Sequence, residues 1–238
     1  MFSLRIALSL GLGALAFAPA AAHACGVSGP DGVWACSLDE HKESIRPKWH
    51  AGASGVLTST ALRFSGSIRG DETRTAALAR LAYSVSPNVT IHFGAGSTFG
   101  GHLTLPDGVH EFAAGPTAQV GASWQVLSGK PFVILTSLLS FSAATTSLQG
   151  TTEDIGYEAF DLRVGGLVGV TVFDILSPYA LARVFGGPVY WHYQGQAVTG
   201  TDVSHYQVGA GLALAVARRM EVFAEGVPLG ERAVALGV

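Results

Sequence analysis

The stretch that most restricts the fold is "FDLRVGGLVGVTVFD", Phe160 to Asp174. Taken at every second residue, it separates into two sets. One is Phe160, Leu162, Val164, Gly166, Val168, Val170 and Val172; the other is Asp161, Arg163, Gly165, Leu167, Gly169 and Thr171. A β-strand sends alternate side chains to opposite faces, so this segment has one apolar face and one face of small, polar and ionic residues. Asp161 and Arg163 share the second face, where they can pair with each other or with neighbours.

The same period recurs along the chain. In "VTIHFGAGSTF", Val89, Ile91, Phe93 and Ala95 alternate with Thr90, His92, Gly94 and Gly96. In "HEFAAGPTAQVGASWQV", Phe112, Ala114, Pro116, Ala118, Val120, Ala122, Trp124 and Val126 oppose Glu111, Thr117, Gln119, Ser123 and Gln125. Tyr206 to Val216 alternates in the same way opposite His205 and Gln207, and Leu81, Tyr83 and Val85 oppose Arg80 and Ser84. The run "WHAGASGVLTSTALRF" alternates less cleanly, which predicts a bulge or bend. Many of these runs exceed the roughly 5–6 residues of soluble strands and suit membrane-crossing strands of about 9–11. The uncharged segment 131–152 is the one alternative to this pattern, as a membrane helix. Its β-branched and aromatic first half and its Ser- and Thr-rich second half predict strand instead.

Turn signals give the topology. Short turns fall at Ser86-Pro87-Asn88, 128–131, 174–178 and Arg218-Arg219, and longer links fall near 66–73, 100–108, 145–156 and 194–202. Short and long links alternate, which in an up-and-down barrel puts all short turns at one end. The expected fold is all-β: a single up-and-down antiparallel transmembrane β-barrel of about ten strands, with eight as the alternative. Its last hairpin, through Gly230-Glu231-Arg232, has an unusually short outer loop.

Alternation alone does not say which face points outward, but composition does. Charged residues are 13% of the chain, against roughly 25% in soluble domains, and mean hydropathy is +0.37. A soluble barrel with its apolar faces inward would carry an exterior rich in Lys and Glu. Here the polar faces are mostly Gly, Ser, Thr and Gln with isolated charges, so the apolar faces are expected to point outward. Arg80, Glu111, Asp161, Arg163, Arg183, Glu221 and Glu225 then form a polar cluster in the lumen, because a basic side chain at mid-membrane costs about 2–4 kcal/mol. Glycines on that face relieve crowding in a narrow interior. The net charge of -3 gives no reason to expect nucleic acid as a partner.

The N-terminus reads as a signal peptide over 1–24: Arg5 precedes an apolar run at 6–17, and Ala22-His23-Ala24 fits a cleavage site. Residues 25–46 form a periplasmic segment, and the barrel occupies 47–238. Cys25 and Cys36 are the two cysteines, expected to close "CGVSGPDGVWAC" as a disulfide, although Cys25 in the first mature position also admits lipid attachment.

Taken together, these residues resemble the small outer-membrane β-barrels of Gram-negative bacteria, of the OmpA-like and opacity-protein type, over the last four-fifths of the chain. The resemblance implies outer-membrane lipid as surroundings and the barrel-assembly machinery as a partner during biogenesis. It also implies a structural, surface-interaction or narrow-pore role, with the surface partner unidentified. Such barrels usually end in an aromatic residue, whereas this chain ends at Val238.

Two further readings are weighed. A rim hydrolase of the omptin type would use acid–histidine pairs such as Asp202 with His205 or Asp107 with His110, but this spacing separates side chains across a strand, and no paired Asp accompanies them. No serine sits in a histidine and acid framework, the eight histidines lack metal-ligand spacing, and "GAGSTFGG" lacks the lysine of a phosphate loop. No catalytic residue, cofactor or metal is expected. The other reading is a secreted, soluble barrel holding an apolar ligand. Tyr179, Tyr190, Trp191 and Tyr193 are candidates for interfacial aromatic girdles, and Trp34 with its loop for a cap on the periplasmic mouth.

Overall fold

A computed structural model describes residues 26–28, 33–35, 48–65, 68–128, 130–148, 155–193, 196–217 and 220–238. The signal peptide and the pairing of Cys25 with Cys36 lie outside them. Two short strands, β1 (Gly26–Ser28) and β2 (Val33–Ala35), pair as a hairpin. The rest of the described chain is β3 (Trp49–Phe64), β4 (Arg69–Ser86), β5 (Val89–Leu105), β6 (Gly108–Phe112), β7 (Gly115–Leu127), β8 (Pro131–Leu148), β9 (Ile155–Val170) and β10 (Leu176–Gly186). It continues with β11 (Val189–Tyr193), β12 (Gln196–Asp202), β13 (Tyr206–Ala217), β14 (Met220–Gly230) and β15 (Arg232–Gly237).

Ten of these strands close into a ring of antiparallel pairs in the order β3, β4, β5, β7, β8, β9, β10, β13, β14, β15 and back to β3. The strands run past this ring at the end opposite the short turns and close a second, smaller one. There β6 replaces β7 between β5 and β8, β11 extends β10 beside β9, and β12 pairs with β3. The second ring has eight strands: β3, β4, β5, β6, β8, β9, β11 and β12. Ring size falls because the β14–β15 hairpin stops at Gly230 and Glu231, so β12, which leads into β13, reaches β3 directly. The tight hairpin near Glu231 is therefore the place where the barrel narrows.

Side-chain polarity reverses between the two rings. In the ten-stranded part the outward positions are apolar: Val168, Leu162, Val184, Leu236 and Leu139 are about half exposed. Among described residues, no outward position from Ala51 to Ala61, Ala77 to Val85, Val89 to Phe99, Pro116 to Val126 or Phe160 to Val170 is charged. Trp49, Tyr83 and Trp124 lie near the short turns, with the Trp49 and Tyr83 rings 4.7 Å apart between centroids and tilted by 48°. Phe99, Phe141, Phe160 and Tyr206 form a second aromatic level about ten residues further along their strands. At ~3.3 Å per residue and a tilt of about 40°, the two levels stand ~25 Å apart, the height of a membrane-embedded apolar band.

The eight-stranded part is built the other way round. Leu62, Phe64, Leu103, Leu105, Phe112, Tyr157, Val189 and Trp191 point inward as one buried apolar cluster. Arg63, Arg69, Asp71, His102, Glu111, Glu158 and His192 point outward and are exposed. This deck has the layout of a water-soluble barrel with a filled core.

Several expectations change at the boundary. The segments 66–73, 100–108 and 194–202, read as links, are largely strands of the smaller ring. The irregularity expected in β3 is absent, since its register with β4 runs unbroken from Trp49↔Tyr83 to Arg63↔Arg69. Its poor alternation reflects the polarity change along its inward face, from Thr58 and Thr60 to Leu62 and Phe64. The bulges lie elsewhere. Gly100 and Gly101, both at positive φ, add a residue to β5 opposite Thr75, and Ala113–Ala114 breaks β6 from β7. The uncharged segment from Pro131 is strand β8.

Lumen glycines admit large side chains across the ring. Tyr179 pairs with Gly211, and a Cβ added there would collide with the Tyr179 ring. A Cβ at the outward Gly226 would meet nothing within 4 Å. Gly211→Val is accordingly expected to destabilise the barrel by about 1–3 kcal/mol, the usual cost of overpacking, while Gly226→Ala leaves it unchanged. The temperature at which detergent-refolded protein loses its folded gel mobility measures both.

Candidate functional site

Six of the seven charged residues assigned to the lumen from sequence face it: Arg80, Asp161, Arg163, Arg183, Glu221 and Glu225. Glu111 does not. The break at Ala113–Ala114 shifts the alternation, so Phe112 and Gly115 both face inward and Glu111 is exposed on the smaller ring. Tyr179 and Trp191 are also corrected. Both are buried inside the barrel, whereas Tyr190 is exposed next to Phe160 at the upper aromatic level.

Four of these six, Arg183, Glu225, Arg163 and Asp161, join a chain of contacts through the interior. Arg183 grips Glu225 with both guanidinium nitrogens, at 3.0 and 3.2 Å, and the Tyr179 hydroxyl donates to the same carboxylate at 3.0 Å. Arg183 also reaches the Gln207 carbonyl at 3.5 Å, and Gln207 donates to Glu231 at 2.9 Å. Glu231, at the hairpin tip, accepts from Arg163 at 2.9 Å, and Arg163 pairs in turn with Asp161. The chain thus links β10, β13, β14 and β9. Gly165, on the neighbouring strand, leaves room for it, because a Cβ there would meet the Arg183 side chain.

A second bar lies where the rings meet. Arg74 pairs with Glu72, donates to Ser142 on β8 at 2.9 Å, and places its guanidinium 5.4 Å from the Tyr157 ring centre. The Tyr157 hydroxyl donates to Glu72 at 2.6 Å. In the eight-stranded ring β4 and β9 stand opposite each other, so this bond spans the full width of the barrel. Between the two networks is a cavity of about 110 Å³ touching Thr58, Thr117, Gln119, Ser140, Arg74 and Arg163. Glu72, Arg74, Tyr157 and Glu231 were missed in the sequence because "GDETRT" reads as a link, a lone Tyr has no pattern and Glu231 reads as a hairpin turn; Gln207 was placed on the polar face but not in the cluster. The i, i+2 spacing of Glu72 and Arg74 matches that of Asp161 and Arg163 and is the signal that marks them.

Thr60 and Asp202 secure the seam between β3 and β12 through a 2.8 Å hydrogen bond donated by the hydroxyl. Burial pushes the Asp202 carboxyl up to about 6 from its ordinary 3.8; the Thr60 bond and Arg163 oppose the rise, and Asp161 and Glu72 add to it. The residues considered for hydrolysis are arranged otherwise. Asp202 binds Thr60 rather than His205, which is exposed beside Phe185. Asp107 does approach His110, at 3.4 Å, because it sits on a turn and not in a strand. His110 is 2% exposed and packed edge-on against Trp191 at 5.0 Å, out of reach of a substrate in solution.

No family model matches the chain, and no curated protein matches it in sequence. Among solved structures it is similar to the translocator domain of autotransporter NalP from Neisseria meningitidis, with TM-score 0.47 and 11% identity over 82% of this chain and 88% of that one. It is also similar to the transport unit of autotransporter AIDA-I from Escherichia coli, with TM-score 0.42 and 13% identity over 84% and 92%. The ring of strand pairings described above, not these overlaps, carries the fold assignment.

Arg183→Met or Glu225→Gln leaves a buried charge or acceptor without its partner and is expected to cost about 3–5 kcal/mol, whereas Arg183→Met with Glu225→Met together costs far less. Folded-state gel mobility against urea separates the three variants. For Asp202 the folded chain holds a proton that the unfolded chain has lost between about pH 4 and 6, so this group's contribution to stability falls as pH rises through that window. Asp202→Asn keeps an acceptor for Thr60. It is expected to melt above the wild type at pH 8 and level with it at pH 4.

Proposed function

We propose that this chain is an outer-membrane β-barrel of the OmpA-like and opacity-protein kind whose lumen is closed, and that it serves a structural or surface-interaction role without catalysis. Three features support the membrane reading: an uncharged apolar exterior ~25 Å tall, aromatic residues at both of its margins, and ionic residues turned inward. A closed ring is also one of the two ways a backbone satisfies its hydrogen bonds in hydrocarbon. The termini of the ring, Trp49 and Val238, lie on the side of the short turns, which is the periplasmic side in such barrels. Insertion by the barrel-assembly machinery goes with this reading.

The observation that carries the closed-lumen reading is the core of the smaller ring. Trp191, Tyr157, Leu62 and Leu103 are buried to 1% exposure or less, and Trp191 is fixed by a 2.9 Å bond from its indole to Thr146. Packed aromatic and aliphatic side chains among the described residues of that deck support a lumen without an aqueous path. The narrow-pore role is thereby disfavoured, and the soluble-barrel reading describes the smaller ring only. The solvated exterior of that ring, with Asp71, Glu111, Glu158 and His192, is the face offered to partners outside the cell.

Refolded protein in planar bilayers is expected to show no stepwise conductance, while Trp191→Ala combined with Leu103→Ala gives intermittent opening. Steady ohmic steps from the wild type would overturn the closed-lumen reading. Mature chain that stays soluble and monomeric without detergent would overturn the membrane reading.

A further inference from the structure

At and just beyond the loop-side margin of the apolar belt, the exterior carries three arginines that make no ion pair or side-chain hydrogen bond among the described residues. Arg63 on β3 and Arg69 on β4 are direct cross-strand partners, and both point outward into solvent. Arg232, at the start of β15, is also exposed and pairs with Ser59 on β3, four residues closer to the belt. Among the described residues none of the three makes an ion pair. The nearest outward carboxylate along these strands is Asp71, opposite Ala61, and it balances one charge of the three. Like charges placed directly opposite on a sheet are destabilising. The neighbouring outward positions are filled by the uncharged Thr104, Thr199 and Thr201.

Height along the barrel gives the pair a use. Ser59 and Arg232 stand level with the upper aromatic residues, at the edge of the belt. Arg63 lies fourteen residues beyond Trp49, or ~35 Å along the axis, about 10 Å above the belt's edge. Headgroups add ~5–8 Å on each side of the hydrocarbon. The three guanidinium groups therefore bracket the depth at which lipid phosphates lie. A guanidinium presents a planar fork that binds phosphate oxygens bidentately, and an anion between Arg63 and Arg69 turns their repulsion into a shared contact.

We propose that Arg63, Arg69 and Arg232 form an exterior site for the phosphate groups of an outer-leaflet lipid. The proposal rests on the outer-membrane reading, so its test first establishes insertion separately. Wild type, Arg63→Gln with Arg69→Gln, Arg63→Lys with Arg69→Lys, and Asp71→Asn are refolded in micelles and checked for heat-modifiable migration and protease protection. Failure of the wild type at that step counts against the membrane reading alone. Inserted proteins are then titrated with bisphosphorylated lipid A, with lipid A stripped of phosphate, and with inorganic phosphate, and bound lipid is counted by native mass spectrometry.

The wild type is expected to retain the phosphorylated lipid and not the stripped one. Binding falls at least tenfold in the glutamine variant, falls less in the lysine variant, and tightens in Asp71→Asn. Equal binding by wild type and the glutamine variant overturns the site. Equal binding of stripped and phosphorylated lipid overturns phosphate as the group recognised. Displacement of the lipid by millimolar inorganic phosphate overturns the lipid as its source.

Discussion

Closure through β3 is the constraint on which the rest of the molecule depends. The first part of this strand pairs with β15, from Ser54↔Gly237 to Ser59↔Arg232, and its end pairs with β12, from Leu62↔Asp202 to Phe64↔Gly200. One strand therefore seals both rings, and among the described strands neither ring has an unpaired edge. In hydrocarbon an open edge would leave several kcal/mol of unsatisfied hydrogen bonding per group. Because β3 changes partner between Ser59 and Leu62, the barrel loses two strands there, and its interior and exterior change character over the same few residues.

The two rings answer to different surroundings. Inside the belt, apolar side chains face outward, so the interior has to be filled by what remains: small residues, hydroxyls and charges. Charges removed from water are costly unless they find partners of good geometry, and Arg183, Glu225, Glu231, Arg163 and Asp161 find theirs in one chain. Arg183 and Glu225 meet through a two-point contact, and Arg163 lies between Asp161 and Glu231. Above the belt, water takes over as the outer solvent and the ordinary arrangement returns, with Trp191, Phe112 and Tyr157 inside and Glu111 and Glu158 outside. The apolar core of the smaller ring then fills its interior, while the Tyr157–Glu72 contact ties its opposite walls together.

Much of this was legible along the chain. Phe160–Val170 assigns every side chain to its correct face, because β9 runs straight through the belt with no bulge. The same parity placed Glu111 in the lumen, and that failed for a local reason. The two residues Ala113 and Ala114, which form no part of either strand, shift the alternation, and neither carries a sequence signal strong enough to announce the break. Tyr179 and Trp191 were candidates for the girdles because an aromatic residue suits either a membrane interface or a tight interior. Gly211 facing Tyr179 selects the interior, and that pairing joins residues 32 positions apart. Asp107 and His110 came together because a turn set them side by side, where strand spacing would have kept them apart.

The sequence by itself determined the strand period, the short turns at one end of the barrel, and the greasy exterior, since each of these is written in neighbouring residues. Only the tertiary structure decided that the ring narrows from ten strands to eight, that the smaller ring holds an apolar core, and which acids meet which bases. Those outcomes depend on where β12 and β15 dock on β3, and strand docking is set by pairing and packing between segments far apart in the chain, which no local pattern records.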